Sequence, residues 1–130
     1  TGTSTFPGKN YIVVPIPRMT NGLFAAGDSH REELIEETRD GLLATRSHYT
    51  RITNPTRGDF TTVFRMGLNR VKNGEVVGAV KKSRLYDNIL SIFRNIDMVG
   101  DDVTSAGSWG DYALVPTIRI SEARVVPVSK

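Results

Sequence analysis

The sequence contains no cysteine, and this absence excludes disulfide bonds, thiolate metal ligands and a cysteine nucleophile. It also contains no long apolar run, so neither a membrane-spanning helix nor the apolar region of a signal peptide is expected. Both absences agree with a protein of a reducing compartment. We therefore predict that the protein is cytoplasmic and has no membrane partner.

Clusters of catalytic or metal-binding residues are absent as well. The two histidines, His30 and His48, do not belong to an HExxH-type pair, and both are predicted to be surface residues. Gly107-Ser108-Trp109-Gly110 lacks the lysine of a phosphate-binding loop. The Asp101-Asp102 pair is more typical of a solvated surface than of a cation site. From the residues alone, the chain has no self-contained active site.

Charge of one sign is not concentrated anywhere along the sequence. The 17 Lys and Arg residues are dispersed among 14 Asp and Glu residues, which gives a net charge of +3. No stretch has the density of basic residues typical of nucleic-acid-binding arms, so a surface of mixed charge is expected and a nucleic-acid partner is not. What is present is an ordinary globular composition, which predicts a single domain over residues 1–130.

The strongest local signal is Asn73-Gly74 between two apolar-rich runs, which predicts a β-hairpin with a two-residue type I′ turn. This turn fixes the register of the two strands. The predicted cross-strand pairs are Lys72–Glu75, Val71–Val76, Arg70–Val77 and Leu68–Ala79. Apolar residues occur on both faces of the hairpin, so we expect both faces to be covered.

Capping residues and periodicity predict a first helix over residues 30–40. Ser29 and Glu32 form a capping box at its start, and Gly41 follows its end. The inward stripe consists of Leu34, Ile35 and Thr38.

A second helix is predicted between Asp87, as its cap, and Gly100, near its end. Apolar residues recur at helical spacing within it. These residues are Ile89, Ile92, Phe93 and Ile96.

The remaining periodic segments are predicted to be strands. They are residues 11–14, 42–53, 60–66, 68–80 and 116–120, with Val125-Val126 extending or restarting the last one. Gly67 marks a bulge or bend, residues 42–80 form three successive antiparallel strands, and residues 104–112 form a flexible loop. The fold class is α+β, with a mostly antiparallel sheet, as a sandwich or open barrel, and two packed helices.

Four stretches, in this order and spacing, resemble segments of the TldD/PmbA family, which is known as modulator of DNA gyrase and as a family of zinc metallopeptidases. They are Pro15-Ile16-Pro17-Arg18-Met19-Thr20-Asn21, Val71 to Lys81 with its Asn-Gly-Glu, Leu90 to Asp102 with its Val-Gly-Asp-Asp, and Val115 to Ile120. The resemblance covers nearly the whole chain. The first stretch is more similar to the TldD branch.

The resemblance implies that this chain is the C-terminal domain of a longer zinc peptidase, whose HExxxH zinc motif lies in a preceding half. In members of the TldD type a cysteine from the Gly-rich loop before the last strand is a third zinc ligand. Residues 105–111 contain no cysteine, and Asp111 is the nearest candidate by chemistry, although a turn-capping role is open for it. Zinc is therefore expected in the full-length protein and not in this fragment.

The function implied by the resemblance is to form part of the peptide-binding cleft and the subunit interface of the peptidase. The candidate cleft residues are Arg18, Thr20 and Asn21 in one connection, and Ser108 and Trp109 in the Gly-rich loop. The expected partners are a peptide or unfolded protein segment and a homologous subunit, in a homodimer or heterodimer. Two alternatives are a non-catalytic assembly subunit and a nucleic-acid or gyrase-related binding module.

Overall fold

The computed structural model describes residues 4–5, 16–17, 21–108 and 111–128, and of residues 4–5, 16–17, 108 and 111 it describes only the strand pairing. The two helices are α1 (Arg31–Glu36) and α2 (Ile89–Arg94). The strands are β1 (Ser4–Thr5), β2 (Ile16–Pro17), β3 (Asn21–Leu23), β4 (Asp40–Ala44), β5 (His48–Asn54), β6 (Asp59–Phe64), β7 (Leu68–Lys72), β8 (Glu75–Ala79), β9 (Ser83–Asn88), β10 (Ile96–Val99), β11 (Thr104–Ser108), β12 (Asp111–Val115), β13 (Ile118–Ile120) and β14 (Val125–Pro127).

The strands form five small sheets within the described residues, with the orders β1-β2, β10-β13, β11-β12-β3, β14-β9-β6-β5 and β4-β7-β8. All pairs are antiparallel except β12 with β3, which is parallel. The predicted α+β class, mostly antiparallel and with two helices, is confirmed. No helix in the described part of the chain has the length and apolar character that crossing a bilayer requires.

The β7–β8 hairpin has the predicted turn. Asn73 and Gly74 have φ angles of 51° and 79°, as a type I′ turn requires, and the pairs Lys72–Glu75 and Val71–Val76 are confirmed. Beyond them the predicted register is wrong, because a bulge shifts the pairing by one residue. Arg70 therefore lies opposite Gly78 and not Val77. Ala79 lies opposite Asn69 and not Leu68.

The hairpin is covered along β7 and not along β8, so the prediction that both of its faces are covered holds for one strand only. Leu68 and Val71, on opposite faces of β7, are buried, whereas Val76, on the same face as Val71, is 49% exposed, and every residue of β8 is exposed. The reason is the strand order, since β8 lies at the edge of the β4-β7-β8 sheet. The turn packs against the end of α1, where the Gly74 N–H donates to the Thr38 carbonyl at 2.9 Å.

The predicted meander over residues 42–80 is also wrong. Residues 42–53 are divided between β4 and β5, which belong to different sheets, and β6 pairs with β5 and β9 and not with β7. The chain changes sheet at Gly67, which has a φ angle of 71° and whose carbonyl accepts the Thr45 N–H at 2.8 Å. The prediction of a bend at Gly67 is confirmed.

Helix α1 begins one residue later than predicted and ends earlier. His30 is its N-cap, and the His30 N–H donates to the Glu33 carboxylate at 3.0 Å, so the Ser29–Glu32 capping box is wrong by one residue. Gly41 is the second residue of β4 and not a helix C′ residue. The inward stripe is confirmed, with Leu34 buried and Ile35 and Thr38 half-buried.

Helix α2 is capped by Asn88, whose side-chain oxygen accepts the Leu90 N–H at 3.0 Å, and not by Asp87. The helix ends at Arg94, so Ile96 begins β10 and does not continue the helical stripe. The apolar residues Ile89, Leu90 and Phe93 are exposed, and Phe93 stacks on Phe24 with 6.1 Å between ring centroids.

The prediction of a flexible loop over residues 104–112 is wrong for residues 104–108 and 111–112, which belong to the paired strands β11 and β12; residues 109–110 lie outside the described residues. The predicted strands near the C-terminus are confirmed as β13 and β14. The predicted strand at residues 11–14 lies outside the described residues. The buried apolar residues of the described chain are Leu34, Val63, Phe64, Leu68 and Val71, which places the core on β6, β7 and α1.

Candidate functional site

The β11-β12-β3 sheet brings together two segments that are far apart in the sequence. Strand β3 runs parallel to β12, with Asn21 opposite Tyr112 and Leu23 opposite Leu114. Strand β12 also pairs with β11, where Ser108 and Asp111 form the last pair before the turn. Asn21 therefore enters the sheet at the end where the Gly-rich hairpin turns.

One face of this sheet is apolar and exposed. Residues directly opposite each other point to the same side, so Asn21, Leu23, Tyr112 and Leu114 share a face. Leu23, Tyr112 and Leu114 are 75%, 63% and 47% exposed. Exposed apolar residues grouped on one face are typical of a binding surface.

Strand β3 is an edge strand within the described residues, since its only partner among them is β12. The Phe24 N–H donates to the Leu114 carbonyl at 2.9 Å, so the N–H and carbonyl of the preceding residue, Leu23, point to the opposite edge, which no described strand covers and which we call the open edge. A backbone edge of this kind accepts an additional extended strand.

Three segments meet at the other end of the sheet and fix its strands. We call them the junction, which consists of residues 27–30, 100–102 and 117. The Gly27 N–H donates to the Gly100 carbonyl at 2.9 Å, and the Gly100 N–H donates to the Thr117 carbonyl at 2.7 Å. The backbones are so close that a Cβ atom on Gly27 would lie 2.0 Å from the Val99 carbonyl oxygen. Only glycine fits there.

Asp102 is the central side chain of the junction. Its carboxylate accepts the Thr117 N–H at 2.9 Å and the Thr117 hydroxyl at 2.6 Å. These hydrogen bonds, the hydroxyl one foremost, hold the pKa of Asp102 below its usual value, and burial opposes them. The neighbouring Asp101 lies on the surface, 2.6 Å from Nδ1 of the exposed His30. Asp102 therefore has a structural role at the junction, and the prediction that it is a solvated surface residue is wrong.

A similar pair links β10 to β13. The Arg119 guanidinium donates to both carboxylate oxygens of Asp97, at 2.9 and 3.1 Å. The hydrogen bond to Arg119 holds the pKa of Asp97 low, and the same bond raises the pKa of Arg119. The pair stabilises the β10-β13 sheet, and both oxygens of the Asp97 carboxylate take part in it.

The predicted site residues are partly accounted for. Asn21 and Ser108 lie in the same sheet, near the same end. Arg18, Thr20 and Trp109 lie outside the described residues, and the role of Asp111 as a ligand stays a prediction. The prediction of a surface position for His48 is wrong, because the residue is half-buried and its Nε2 atom is buried without a hydrogen-bond partner. His30 is exposed, as predicted.

No group of three or more His, Asp or Glu side chains in the described part of the chain is placed to hold a metal ion. The described residues therefore do not form a zinc site by themselves. What they provide is an edge strand, an apolar face and a rigid base, which together suit binding and positioning.

Sequence reasoning missed a second surface feature, which we call the basic groove. It is a cleft of about 230 Å³ on the β14-β9-β6-β5 sheet, with Arg51, Arg65, Lys82 and Arg84 around Tyr49 and Val63. The four cations are dispersed in the sequence among acidic residues, so a scan for basic runs does not find them. Alternation along the strands would have placed Lys82 and Arg84 on one face.

Comparison with known protein families matches almost the whole chain. The sequence model of the family described as the PmbA/TldA metallopeptidase C-terminal domain matches residues 1–127.

Relatives of known name are longer proteins. A "Metalloprotease TldD homolog" of Buchnera aphidicola is 31% identical over 96 residues, which are 73% of this chain and 19% of that protein. A "Metalloprotease" of Methanothermobacter thermautotrophicus is 33% identical over 119 residues, which are 85% of this chain and 26% of that protein. The chain therefore spans about a fifth to a quarter of the length of these relatives.

Solved structures share the fold. A proposed modulator of a DNA gyrase from Thermotoga maritima superposes with a TM-score of 0.70 at 24% identity, over 82% of this chain and 24% of that chain. TldE from Thermococcus kodakarensis superposes with a TM-score of 0.68 at 16% identity, over 85% of this chain and 24% of that chain.

Proposed function

Because this chain belongs to the PmbA/TldA metallopeptidase C-terminal domain family, we propose that it is the C-terminal domain of a TldD/PmbA-type zinc metallopeptidase subunit. In this role it forms one wall of the peptide-binding cleft and contributes to the interface with a homologous subunit in the cytoplasm. The names of the metalloprotease relatives support the proteolytic part of the proposal.

The observation that carries the proposal is the parallel pairing of β3 with β12. It places Asn21 and the end of the Gly-rich hairpin side by side and leaves the backbone of Leu23 at an open edge. An extended peptide pairs with this edge through its own backbone, and its side chains contact the exposed face of Leu23 and Tyr112. Backbone pairing explains how one cleft accepts peptides of different sequence.

The chain's own contribution is to bind and orient the peptide. Zinc, when bound in the full-length protein, supplies an activated water molecule for peptide hydrolysis. We assign its ligands to the HExxxH motif that the family resemblance implies in a preceding half. Asp111 remains the candidate of this chain for an additional ligand.

The subunit interface is proposed to include the exposed apolar side of α2. Ile89, Leu90 and Phe93 are all exposed, and three such residues on one short helix form a surface that a neighbouring domain or subunit covers. The same surface fits a homodimer or a heterodimer.

A matched pair of variants at Leu23 tests the edge-pairing step in the longest natural chain that contains these residues. Leu23→Pro removes the outward N–H and should raise KM for a peptide roughly tenfold, because a backbone hydrogen bond and the flat edge are lost. Leu23→Ala keeps the N–H and should change KM no more than about threefold. Zinc content, measured by atomic spectroscopy, should be equal in all three proteins.

Equal KM values for Leu23→Pro and the unmodified protein would rule out pairing at β3. Absence of bound zinc in the full-length protein would rule out a catalytic subunit and leave the second candidate, a non-catalytic assembly subunit. That candidate is favoured by the lack of any cysteine in the sequence. Peptidase activity of the full-length protein without a partner would exclude it.

A further inference from the structure

The basic groove presents four cations on one face of the β14-β9-β6-β5 sheet. Arg51 pairs across from Thr61 of β6, and Arg84 pairs across from Val63 of the same strand. Arg65 follows two residues after Val63, and Lys82 directly precedes β9, whose first residue, Ser83, pairs with Phe64. Measured along β6, Arg51, Arg84 and Arg65 are therefore two residues apart, or about 6.8 Å per step, with Arg51 on β5 to one side of β6 and Arg84 on β9 to the other.

These charges are not neutralised by the described part of the chain. Its ion pairs use Arg31, Arg57, Arg70 and Arg119 with carboxylates, and His30 with Asp101, and none of them includes a cation of the groove. Arg84 is fixed instead by a hydrogen bond to the Thr61 hydroxyl at 3.1 Å. Arg51, Arg65 and Lys82 are exposed. Four close cations repel one another, and an anionic ligand removes this repulsion.

We propose that the basic groove binds an acidic segment of a substrate polypeptide, as a second binding surface apart from the β3 edge. This inference rests on the proposed function, in which the ligand is a polypeptide. In an extended segment, side chains at alternate positions lie on one side with the same spacing of about 6.8 Å. Glu or Asp at every second position therefore has the spacing that Arg51, Arg84 and Arg65 have along the direction of β6.

Single-stranded nucleic acid is the competing polyanion, and the geometry favours it less. Proteins that bind it use exposed aromatic rings on which the bases stack. Among the described residues, Tyr49 is the one aromatic residue that lines the groove, and the Arg65 guanidinium lies over one face of its ring at 4.7 Å from the centroid, so the groove offers no row of rings for successive bases. The guanidinium and ammonium groups remain available to carboxylates, with which arginine forms paired hydrogen bonds.

The test measures peptide binding to the longest natural chain that contains these residues, by fluorescence anisotropy with a chelator present so that no peptide is cleaved. The probes are a labelled peptide in which Glu and Ser alternate, the same peptide with Gln in place of Glu, and an oligothymidylate of equal charge. We expect the Glu peptide to bind most tightly, and its binding to weaken as salt is raised.

Two pairs of variants locate the binding surface. Arg51→Gln with Lys82→Gln should weaken binding of the Glu peptide roughly tenfold, because two charge-assisted contacts are lost. The matched control, Arg57→Gln with Lys81→Gln, removes the same charge from neighbouring residues outside the groove and should change binding less than about twofold. Circular dichroism checks that all variants are folded.

Equal binding of the Gln peptide, tighter binding of oligothymidylate, equal losses in both variant pairs, or no binding at all would each overturn the inference. The result is separable from that of the proposed function, since it requires neither zinc nor cleavage. Leu23→Pro should leave the difference in affinity between the Glu and Gln peptides unchanged, because that difference arises at the basic groove. If this variant abolished the difference, the acidic segment would lie at the β3 edge and the inference would be wrong.

Discussion

Replacing Asp102 by alanine should destabilise the protein by about 2–3 kcal/mol, because its carboxylate accepts two hydrogen bonds from Thr117. A hydrogen bond to a charged group contributes about 1.5–3 kcal/mol. The Asp102 side chain is 26% exposed, so water partly replaces the lost contacts and the lower end of that range applies to each. Asp102→Asn keeps one oxygen acceptor and should cost about 1 kcal/mol.

Urea unfolding followed by far-ultraviolet circular dichroism measures this difference, and Asp101→Ala is the matched control. Asp101 is the adjacent carboxylate, but its contact with His30 is exposed on both sides and should contribute less than about 1 kcal/mol. Equal destabilisation by Asp101→Ala and Asp102→Ala would refute the reasoning. So would an Asp102→Ala variant that unfolds at the urea concentration of the unmodified protein.

Three further predictions concern the hairpin and the response to acid. Gly74→Ala should cost about 1–2 kcal/mol, because the φ angle of 79° is unfavourable for alanine, and thermal unfolding would show it. Val71→Ala should cost about 2–3 kcal/mol and Val76→Ala less than about 1 kcal/mol, since Val71 on β7 is buried and Val76 on β8 is exposed; equal losses would contradict this difference in burial between the two strands. The pKa of Asp97 is lowered from about 3.8 by Arg119, so this pair contributes stability above about pH 4 that is lost as the pH falls through the folded-state pKa. Asp97→Asn should flatten the pH dependence of stability below pH 4, and an unchanged acid limb would count against the pair.

Features determined by neighbouring residues could be predicted from the sequence. The Asn73-Gly74 turn requires positive φ angles that few residue types adopt, so the two residue types alone indicate the turn. Gly67 marked a bend for the same reason. The cap of α2 is predicted one residue too early because Asp and Asn are both preferred N-cap residues, so Asp87 and Asn88 are equivalent candidates. Only the Asn88 side chain also donates to the Arg57 carbonyl and the Asp59 carboxylate, which fixes it at the cap.

Features that depend on distant pairing could not be predicted in this way. The bulge between the pairs Arg70–Gly78 and Val71–Val76 adds one residue to β8, and the turn residues do not specify it. The run from residue 42 to 53 contains no glycine or proline where β4 ends and β5 begins, so the sequence predicts one strand. Both errors come from tertiary contacts that override local preference.

The candidate site likewise combines features that the sequence indicates with features that depend on distant pairing. The family resemblance identified the family correctly, and it selected Asn21 and Ser108 from two distant stretches that the structure joins in one sheet. The parallel pairing itself has no sequence signal, because β3 is only three residues long. The sequence indicates a solvated Asp102, since its partner Thr117 lies 15 residues further along the chain and no local pattern links the two.

Residue-resolved hydrogen exchange of the peptide-bound full-length protein tests the central claim most directly. If an extended peptide pairs with the open edge of β3, the Leu23 amide should exchange roughly tenfold more slowly in the complex, while the Phe24 amide, already bonded to the Leu114 carbonyl, should change little. An unchanged Leu23 amide in a complex that is fully formed would contradict the claim that this domain holds the peptide at β3.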